Sequence, residues 1–233
     1  MTTIAPGSAR TAPFPGYRER ARLSAGQSVD AVHRMVAAAI AARGLSRFVL
    51  ADVGCGRGDF HGVIGAGCTR YIGVDAVRYD GFPPDAEFVS ADLNEGSGLT
   101  LPGGPADVVA SLETIEHLEN PRAFLRLLVR LTRPGGWIFV TTPNQRSLLS
   151  LATLVAKGCF SHFQNVHYPA HLTALLDVDL RRIAGEVGLE RTTIEYSKAG
   201  RIVFSSRHYP APLSRAFPRA LSDNLMLAGQ RPR

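Results

Sequence analysis

Two acids and a histidine stand close together at Glu113, Glu116 and His117. If this stretch forms a helical turn, residues at i, i+3 and i+4 project from the same face. Carboxylate oxygens and an imidazole nitrogen on one face can ligate a divalent cation such as Mg²⁺ or Mn²⁺. The histidine can instead accept a proton without a metal, or the three residues can stabilise the fold. The spacing therefore predicts a reactive cluster, with a metal site as one of three interpretations.

A second cluster follows the apolar run 49–53, where Asp52 leads into Gly54, Gly56 and Gly58. Glycines let the backbone approach a ligand closely and adopt a positive φ. A dinucleotide-binding loop has the pattern Gly-x-Gly-x-x-Gly, so the pattern Gly-x-Gly-x-Gly disfavours a nicotinamide cofactor. The residues predict a strand that turns sharply over a different ligand.

Two further acids lie at the ends of apolar runs. Asp75 ends the run 71–75, and Asp92 follows the run that begins at Glu87. Nucleotide-binding α/β folds place a carboxylate about 20 residues after the glycine loop, where it accepts hydrogen bonds from ribose hydroxyls. Asp75 stands at that distance from Gly54. Either aspartate could also be a turn or cap residue.

The elements that must position these clusters alternate along the chain. Helical patterns begin at Ser28, Pro121, Leu148 and near Asp177, and strands are expected over 49–53, 71–75, 87–93, 107–111, 137–141, 189–196 and 225–228. Such alternation predicts an α/β fold with a doubly wound parallel sheet, whose ligands bind at the carboxyl ends of the strands. The glycine loop, both aspartates and the acid–histidine cluster all follow predicted strands.

The stretch from Asp52 to Gly58 closely resembles the first motif of class I S-adenosylmethionine-dependent methyltransferases, and 131–144 is similar to a later segment of that family. The resemblance implies a single Rossmann-like sheet of seven strands, the last antiparallel, with helices on both faces and a lid. It places the methionine moiety of the cofactor on the glycine loop, its ribose on Asp75 and its adenine near Asp92 and Leu93. The cofactor-binding residues expected from it are Asp52, Gly54, Cys55, Gly56, Gly58, Asp75, Ala76, Asp92, Leu93 and Ser111.

The Glu-x-x-Glu-His pattern resembles two metal-assisted branches of the family: ubiquinone-biosynthesis-type O-methyltransferases and small-RNA 3′-terminal 2′-O-methyltransferases. A later histidine completes the site in the RNA enzymes, and His171 stands nearest to that position, with His167 as a competitor. The expected metal ligands are Glu113, Glu116, His117 and His171. Without a metal, His117 or His171 would be the catalytic base.

Length and composition predict one α/β domain with three appendages, and the resemblance implies a single methyltransferase domain over 1–233. These are an extended N-terminal arm over 1–28, a substrate lid over 145–175 and a basic insert over 197–222 between the last two strands. Three cysteines lack pairing or metal spacing, and no leading apolar segment suggests a signal peptide. These features favour a reducing, cytoplasmic setting.

The net charge of +6 is concentrated near the carboxyl end, where residues 197–233 contain seven Lys or Arg and one Asp. The rest of the chain is therefore neutral, which argues against a nucleic-acid-binding body. Aromatic and cationic residues of the insert, such as Arg207, Tyr209 and Phe217, suit contacts with a sugar or a phosphate. They also suit peripheral contact with a membrane.

Together these features predict an O-methyltransferase that acts on a hydroxyl of a small molecule, with a sugar of a glycan or glycosylated intermediate as the leading acceptor. The alternatives are a quinone or phenol O-methyltransferase and a small-RNA 2′-O-methyltransferase. A non-catalytic binder that retains the fold is disfavoured because all of the cofactor motifs are present.

Overall fold

A computed structural model describes residues 16–24, 26–96, 98–203 and 205–233 of the 233-residue chain. The first fifteen residues of the expected arm lie outside the described ranges. In the part that is described, no helix is both long enough and apolar enough to cross a bilayer.

Seven strands form one sheet in the order β3-β2-β1-β4-β5-β7-β6. All neighbours pair in parallel except for β7, which is antiparallel to both β5 and β6. The predicted Rossmann-like fold with an antiparallel last strand is therefore confirmed. The strands are β1 Phe48–Val53, β2 Cys68–Asp75, β3 Glu87–Ser90, β4 Ala106–Ser111, β5 Thr132–Pro143, β6 Glu190–Tyr196 and β7 Asn224–Gln230.

Helices cover both faces of this sheet, and three of them present an apolar stripe to it. On one face, the stripe of α4 includes Phe124 and Leu128 and packs with Leu180 of α6. On the other face, Val32 and Val36 of α2 pack against Leu50 of the first strand. The helices are α1 Tyr17–Leu23, α2 Asp30–Ala42, α3 His61–Ile64, α4 Pro121–Leu131, α5 Leu148–Lys157, α6 Asp177–Glu186 and α7 Ala211–Ala216.

The N-terminal segment differs from the extended arm that was expected over 1–28. Residues Tyr17–Leu23 form α1, although a helix this short is unstable in isolation. Tertiary contacts hold it in place: the Tyr79 hydroxyl donates to the Ala21 carbonyl, and Arg20 pairs with Glu119 at 2.8 Å. The prediction was wrong for this turn because its partners lie about 60 and 100 residues away along the chain.

The connection between α4 and β5 also differs from the prediction. A strand was expected over 137–141, but β5 already begins at Thr132, which pairs with Ala106. The Gly135 N–H donates to the Arg231 carbonyl at 2.9 Å. A contact with the chain's last residues therefore extends the strand, and local sequence does not reveal it.

Candidate active site

A cavity of about 610 Å³ opens at the carboxyl ends of the strands, within the size range of small-molecule sites. It contains eight of the ten residues predicted to bind the cofactor: Asp52, Gly54, Cys55, Gly56, Asp75, Ala76, Asp92 and Leu93. The other two lie apart from its wall. Gly58 faces Pro83 and Phe82, and Ser111 is completely buried. The glycine loop and the strand ends thus meet in one cavity, as the sequence predicts.

The glycine loop follows β1 and requires glycine for two separate reasons. Gly54 and Gly56 have φ values of +82° and +51°, in the left-handed region that L side chains rarely adopt. A Cβ at Gly54 would overlap the Thr114 side chain, and one at Gly56 would overlap the Gly26 carbonyl. Only a loop without side chains fits between these neighbours.

Asp52 is 2% exposed and has one carboxylate oxygen that accepts from the Tyr71 hydroxyl. Its other oxygen, Oδ1, has no hydrogen-bond partner among the described residues. Burial raises the pKa of this carboxyl from its usual value to about 7. A buried acceptor left unpaired beside a cavity is available to a donor group on a bound molecule.

The other two aspartates have different surroundings. Asp75 accepts from the backbone N–H of Gly56 at 2.9 Å and from that of Val77 at 3.3 Å, so it also holds the glycine loop in place. Burial raises the pKa of Asp75. Asp92 accepts from the Asn94 N–H at 2.9 Å in the turn after β3. Both face the cavity while they also fix local structure.

The N-terminal region closes one side of the cavity, which the sequence did not predict in detail. This wall of the cavity includes Tyr17 and Arg20 of α1 and Ser24 directly after it. It also includes Ser28 and His33. Ser28 Oγ lies 2.6 Å from His33 Nε2, which accounts for this buried histidine without a ligand. The sequence signal for this wall is the helical pattern that begins at Ser28.

The acid–histidine cluster forms, but with a different membership from the prediction. Glu116, His117 and His171 each offer a ligand atom, and these atoms lie within 4.8 Å of one another. Glu116 and His117 lie in a 3-10 turn, Ile115–His117. His171 comes from the segment after α5, whose Leu172 and Thr173 N–H groups donate to the Glu116 carbonyl at 2.8 and 3.0 Å.

Glu113 is not part of this cluster, which corrects the expectation that it shares a face with Glu116 and His117. Its backbone has φ +50°, so no regular helical turn joins it to Glu116. Its carboxylate instead accepts from Thr141 Oγ1 at 3.0 Å and from Asn224 Nδ2 at 2.6 Å. Burial raises the pKa of Glu113 to about 7. Glu113 lines the cavity and there joins β5 to β7.

Glu116 is completely buried, and among the described residues no donor meets its carboxyl oxygens in full hydrogen-bond geometry, although the Thr142 hydroxyl lies close enough to lower its pKa. Burial, and then the charge of Glu113, raises the pKa of Glu116 well above its usual range. A buried carboxyl in this position is stable if it is protonated or if a cation accompanies it. The Nδ1 of His117 lies 2.9 Å from the Ala170 carbonyl and donates to it, so its Nε2 keeps a free lone pair.

Two more histidines, His162 and His167, extend this wall of the cavity. The rings of His117 and His171 meet edge to face at 4.6 Å, and those of His167 and His171 stack at 5.5 Å. Burial lowers the pKa of His171 to about 3 and that of His162 to about 4. The imidazoles are therefore neutral at pH 7, the form that ligates a metal or accepts a proton.

Arg201 and His208 of the basic insert also reach the cavity, where they join Asp223 and Asn224 at the end of β7. A bridge pairs Arg201 with His208, and Arg201 Nε lies 3.3 Å from Asp223 Oδ2. Arg207, Tyr209 and Phe217 of this insert were expected to contact a sugar or a phosphate, but they do not line the cavity.

Comparison with known proteins identifies a methyltransferase domain, in agreement with the fold. A family model for a methyltransferase domain matches residues 18–194. The chain is 30% identical over 151 residues to a ubiquinone biosynthesis O-methyltransferase of Thiobacillus denitrificans, which covers 60% of this chain and 63% of that protein. It is 34% identical over 115 residues to a Mycolicibacterium smegmatis protein described as an S-adenosylmethionine-dependent methyltransferase, covering 48% of this chain and 44% of that protein.

The chain thus spans less than two thirds of the length of either relative. A crystal structure of an S-adenosylmethionine-dependent methyltransferase from Archaeoglobus fulgidus superimposes with a TM-score of 0.59 and 19% identity, covering 85% of this chain and 94% of that chain. At this identity the likeness concerns the fold alone.

Proposed function

Because the chain belongs to the methyltransferase domain family that matches residues 18–194, we propose that it methylates a hydroxyl oxygen of a polar small molecule. Its methyl donor is S-adenosylmethionine, as in the S-adenosylmethionine-dependent methyltransferases it resembles. The leading acceptor is a sugar hydroxyl, and a divalent cation held by Glu116, His117 and His171 would assist the reaction.

The residues around the glycine loop fit this cofactor. Gly54, Cys55 and Gly56 line the cavity, so the backbone of the loop can contact the methionine moiety directly. The unpaired Oδ1 of Asp52 can accept from its ammonium group, and the carboxylate of Asp75 can accept from ribose hydroxyls. When bound, S-adenosylmethionine supplies an electrophilic methyl group on its sulfonium. The acceptor oxygen takes this methyl group in an in-line displacement, and the neutral thioether is the leaving group.

One observation supports the proposal for the acceptor: the completely buried carboxyl of Glu116 has an oxygen within 4.8 Å of ring nitrogens of two neutral imidazoles in the same cavity. An alcohol hydroxyl is a weak acid, so its proton must leave as the oxygen takes up the methyl group. Glu116, His117 and His171 would hold an Mg²⁺ or Mn²⁺ that lowers the pKa of that hydroxyl. In the alternative without a metal, Nε2 of His117 accepts the proton.

The acceptor side of the cavity is polar. Its wall includes His162, Arg201, His208, Asp223 and Asn224, which offer donors and acceptors. Such a wall suits a molecule with several hydroxyls better than an apolar ring, and this favours a sugar. A phenolic acceptor is the second candidate, because relatives that match this chain are named ubiquinone biosynthesis O-methyltransferases.

A metal titration tests the proposal with a readout that does not require the acceptor. We expect the metal-stripped protein to bind Mn²⁺ in calorimetry, and Glu116→Gln to weaken that binding by at least about tenfold, since it removes a ligand. Glu95→Gln is the matched control, because Glu95 is exposed and does not line the cavity, and it should retain Mn²⁺. Unchanged Mn²⁺ affinity in Glu116→Gln would remove the metal site.

Turnover then separates the mechanisms and the acceptors. With a panel of sugars and catechols, chelation should abolish methyl transfer to sugars, and added Mg²⁺ or Mn²⁺ should restore it. Full transfer after exhaustive chelation would leave His117 as the base. Transfer to catechols alone would select the phenolic acceptor.

A further inference from the structure

Two segments on the cavity side of the molecule, 145–176 and 197–222, contain no Asp or Glu. We call them the acid-free segments. Among the described residues, ten large apolar side chains are exposed, and seven of them lie in these segments. All seven Lys and Arg residues of the segments are exposed as well. Exposed apolar side chains rarely cluster on a surface without a binding role.

Helix α5 shows most clearly that apolar side chains of these segments are exposed. It has five Leu or Val residues in ten positions, yet its one buried residue is Ser150. Leu148, Leu151 and Val155 are spaced three and four positions apart, so they share a helix face, and they are 44%, 43% and 89% exposed. The described chain covers this face of the helix only in part, and least at Val155.

Neighbouring parts of the acid-free segments continue this face. Leu148 donates its N–H to the Ala220 carbonyl at 2.8 Å, which places α5 beside the end of α7, where Phe217 is 61% exposed. At the other end, Lys157 Nζ donates to Gln164 Oε1 at 2.8 Å, beside Val166, which is 82% exposed. The stretches that carry these exposed apolar residues therefore lie next to one another.

Cations accompany these apolar side chains. Lys157, Lys198, Arg207 and Arg215 are exposed and have no ion pair among the described residues. Apolar side chains with unpaired Lys and Arg suit the interface of a bilayer that contains anionic lipids. A symmetric pairing of two copies would instead bring these cations together with no acid from either segment, which is unfavourable.

We propose that the acid-free segments form a docking surface for an anionic phospholipid bilayer, with α5 lying in the membrane interface. The surface adjoins the cavity, because His162, His167 and Arg201 of the same segments line it. Docking is independent of the acceptor proposed above, and its test uses no turnover.

Vesicle sedimentation of the full chain tests the proposal. We expect the protein to sediment with vesicles in which phosphatidylglycerol is about a third of the lipid, and much less with pure phosphatidylcholine. Lys157→Gln with Arg215→Gln should weaken binding about thirtyfold, since each cation near an anionic surface contributes about fivefold. Leu151→Asn with Val155→Asn should weaken it at least about tenfold.

Val63→Asn with Arg34→Gln is the matched control, because these two exposed residues lie outside the acid-free segments. It should bind like the unmodified protein, and equal unfolding midpoints will show that all variants fold. Three results would overturn the proposal: no sedimentation with anionic vesicles, equal weakening by the control, or a solution dimer that Leu151→Asn with Val155→Asn dissociates. The last result would assign the surface to a second copy of the chain.

Discussion

Asp52 shows how one residue's placement fixes a pH dependence. It is buried at the end of β1 with one oxygen unpaired, and burial raises its pKa to about 7, against about 4 in an unfolded chain. Between these values the folded state holds a proton that the unfolded state has lost. Its contribution to stability is thus full below about pH 4 and is lost as the pH rises through about 7.

We therefore expect Asp52→Asn to stabilise the cofactor-free protein at pH 8 by about 2–4 kcal/mol, since each pKa unit corresponds to about 1.4 kcal/mol. The amide can still accept from the Tyr71 hydroxyl. Chemical denaturation from pH 4 to pH 8 measures the effect, with Asp80→Asn at an exposed acid as control. Parallel pH profiles for Asp52→Asn and the unmodified protein would contradict the shift.

The reactive cluster could be predicted in type but not in membership. Residue types at Glu113, Glu116 and His117 are visible in the sequence, and helical spacing suggests one face. The positive φ of Glu113 and its bonds to Thr141 and Asn224 redirect its carboxylate. These partners lie 28 and 111 residues away along the chain, so local periodicity carries no trace of them.

Helices and strands were likewise predictable from the sequence only where local residues determine them. Most of the parallel strands are buried apolar runs, as sheets covered on both faces require, and these runs were visible in the sequence. The edge strand β3 differs, because Glu87 and Ser90 at its ends are exposed. The sequence did not predict α1 and α7, which have only seven and six residues. Short helices depend on tertiary contacts rather than on propensity, so their sequences resemble those of loops.

The contact between Gly26 and Gly56 links the segment after α1 to the glycine loop, and it gives a test of that wall of the cavity. Both Gly56 and Gly65 have a positive φ, so alanine at either position costs about 1–2 kcal/mol. Only at Gly56 does a Cβ also overlap a neighbour, the Gly26 carbonyl. We expect Gly56→Ala to displace this segment and weaken S-adenosylmethionine binding at least tenfold, about 1.4 kcal/mol.

Gly65→Ala is the control, because open space surrounds its Cβ position. It should lower the unfolding midpoint but leave cofactor affinity in calorimetry unchanged. Equal cofactor affinities for the two variants would show that the Gly26–Gly56 contact plays no part in binding.

At the scale of the whole molecule, the last strand completes the sheet. The family match ends at Ile194, before β7 begins. Yet β7 lies between β5 and β6, and β6 pairs with no other strand in the described chain. Its Asn224 also reaches the site through Glu113 at 2.6 Å. The segment beyond the match is therefore part of the domain.

A chain that ends at Tyr196 retains every matched residue but lacks β7. Leu225, Met226 and Leu227 are at most 1% exposed, and burying each contributes about 1.5–3 kcal/mol. Their sum is comparable to the whole stability of a domain, about 5–15 kcal/mol. We expect this chain to show no cooperative thermal transition, whereas a chain that lacks only the exposed Arg233 should unfold like the full protein. Co-expression of residues 197–233 should restore folding by supplying β7. A cooperative transition of the shortened chain near the full-length midpoint would show that six strands suffice.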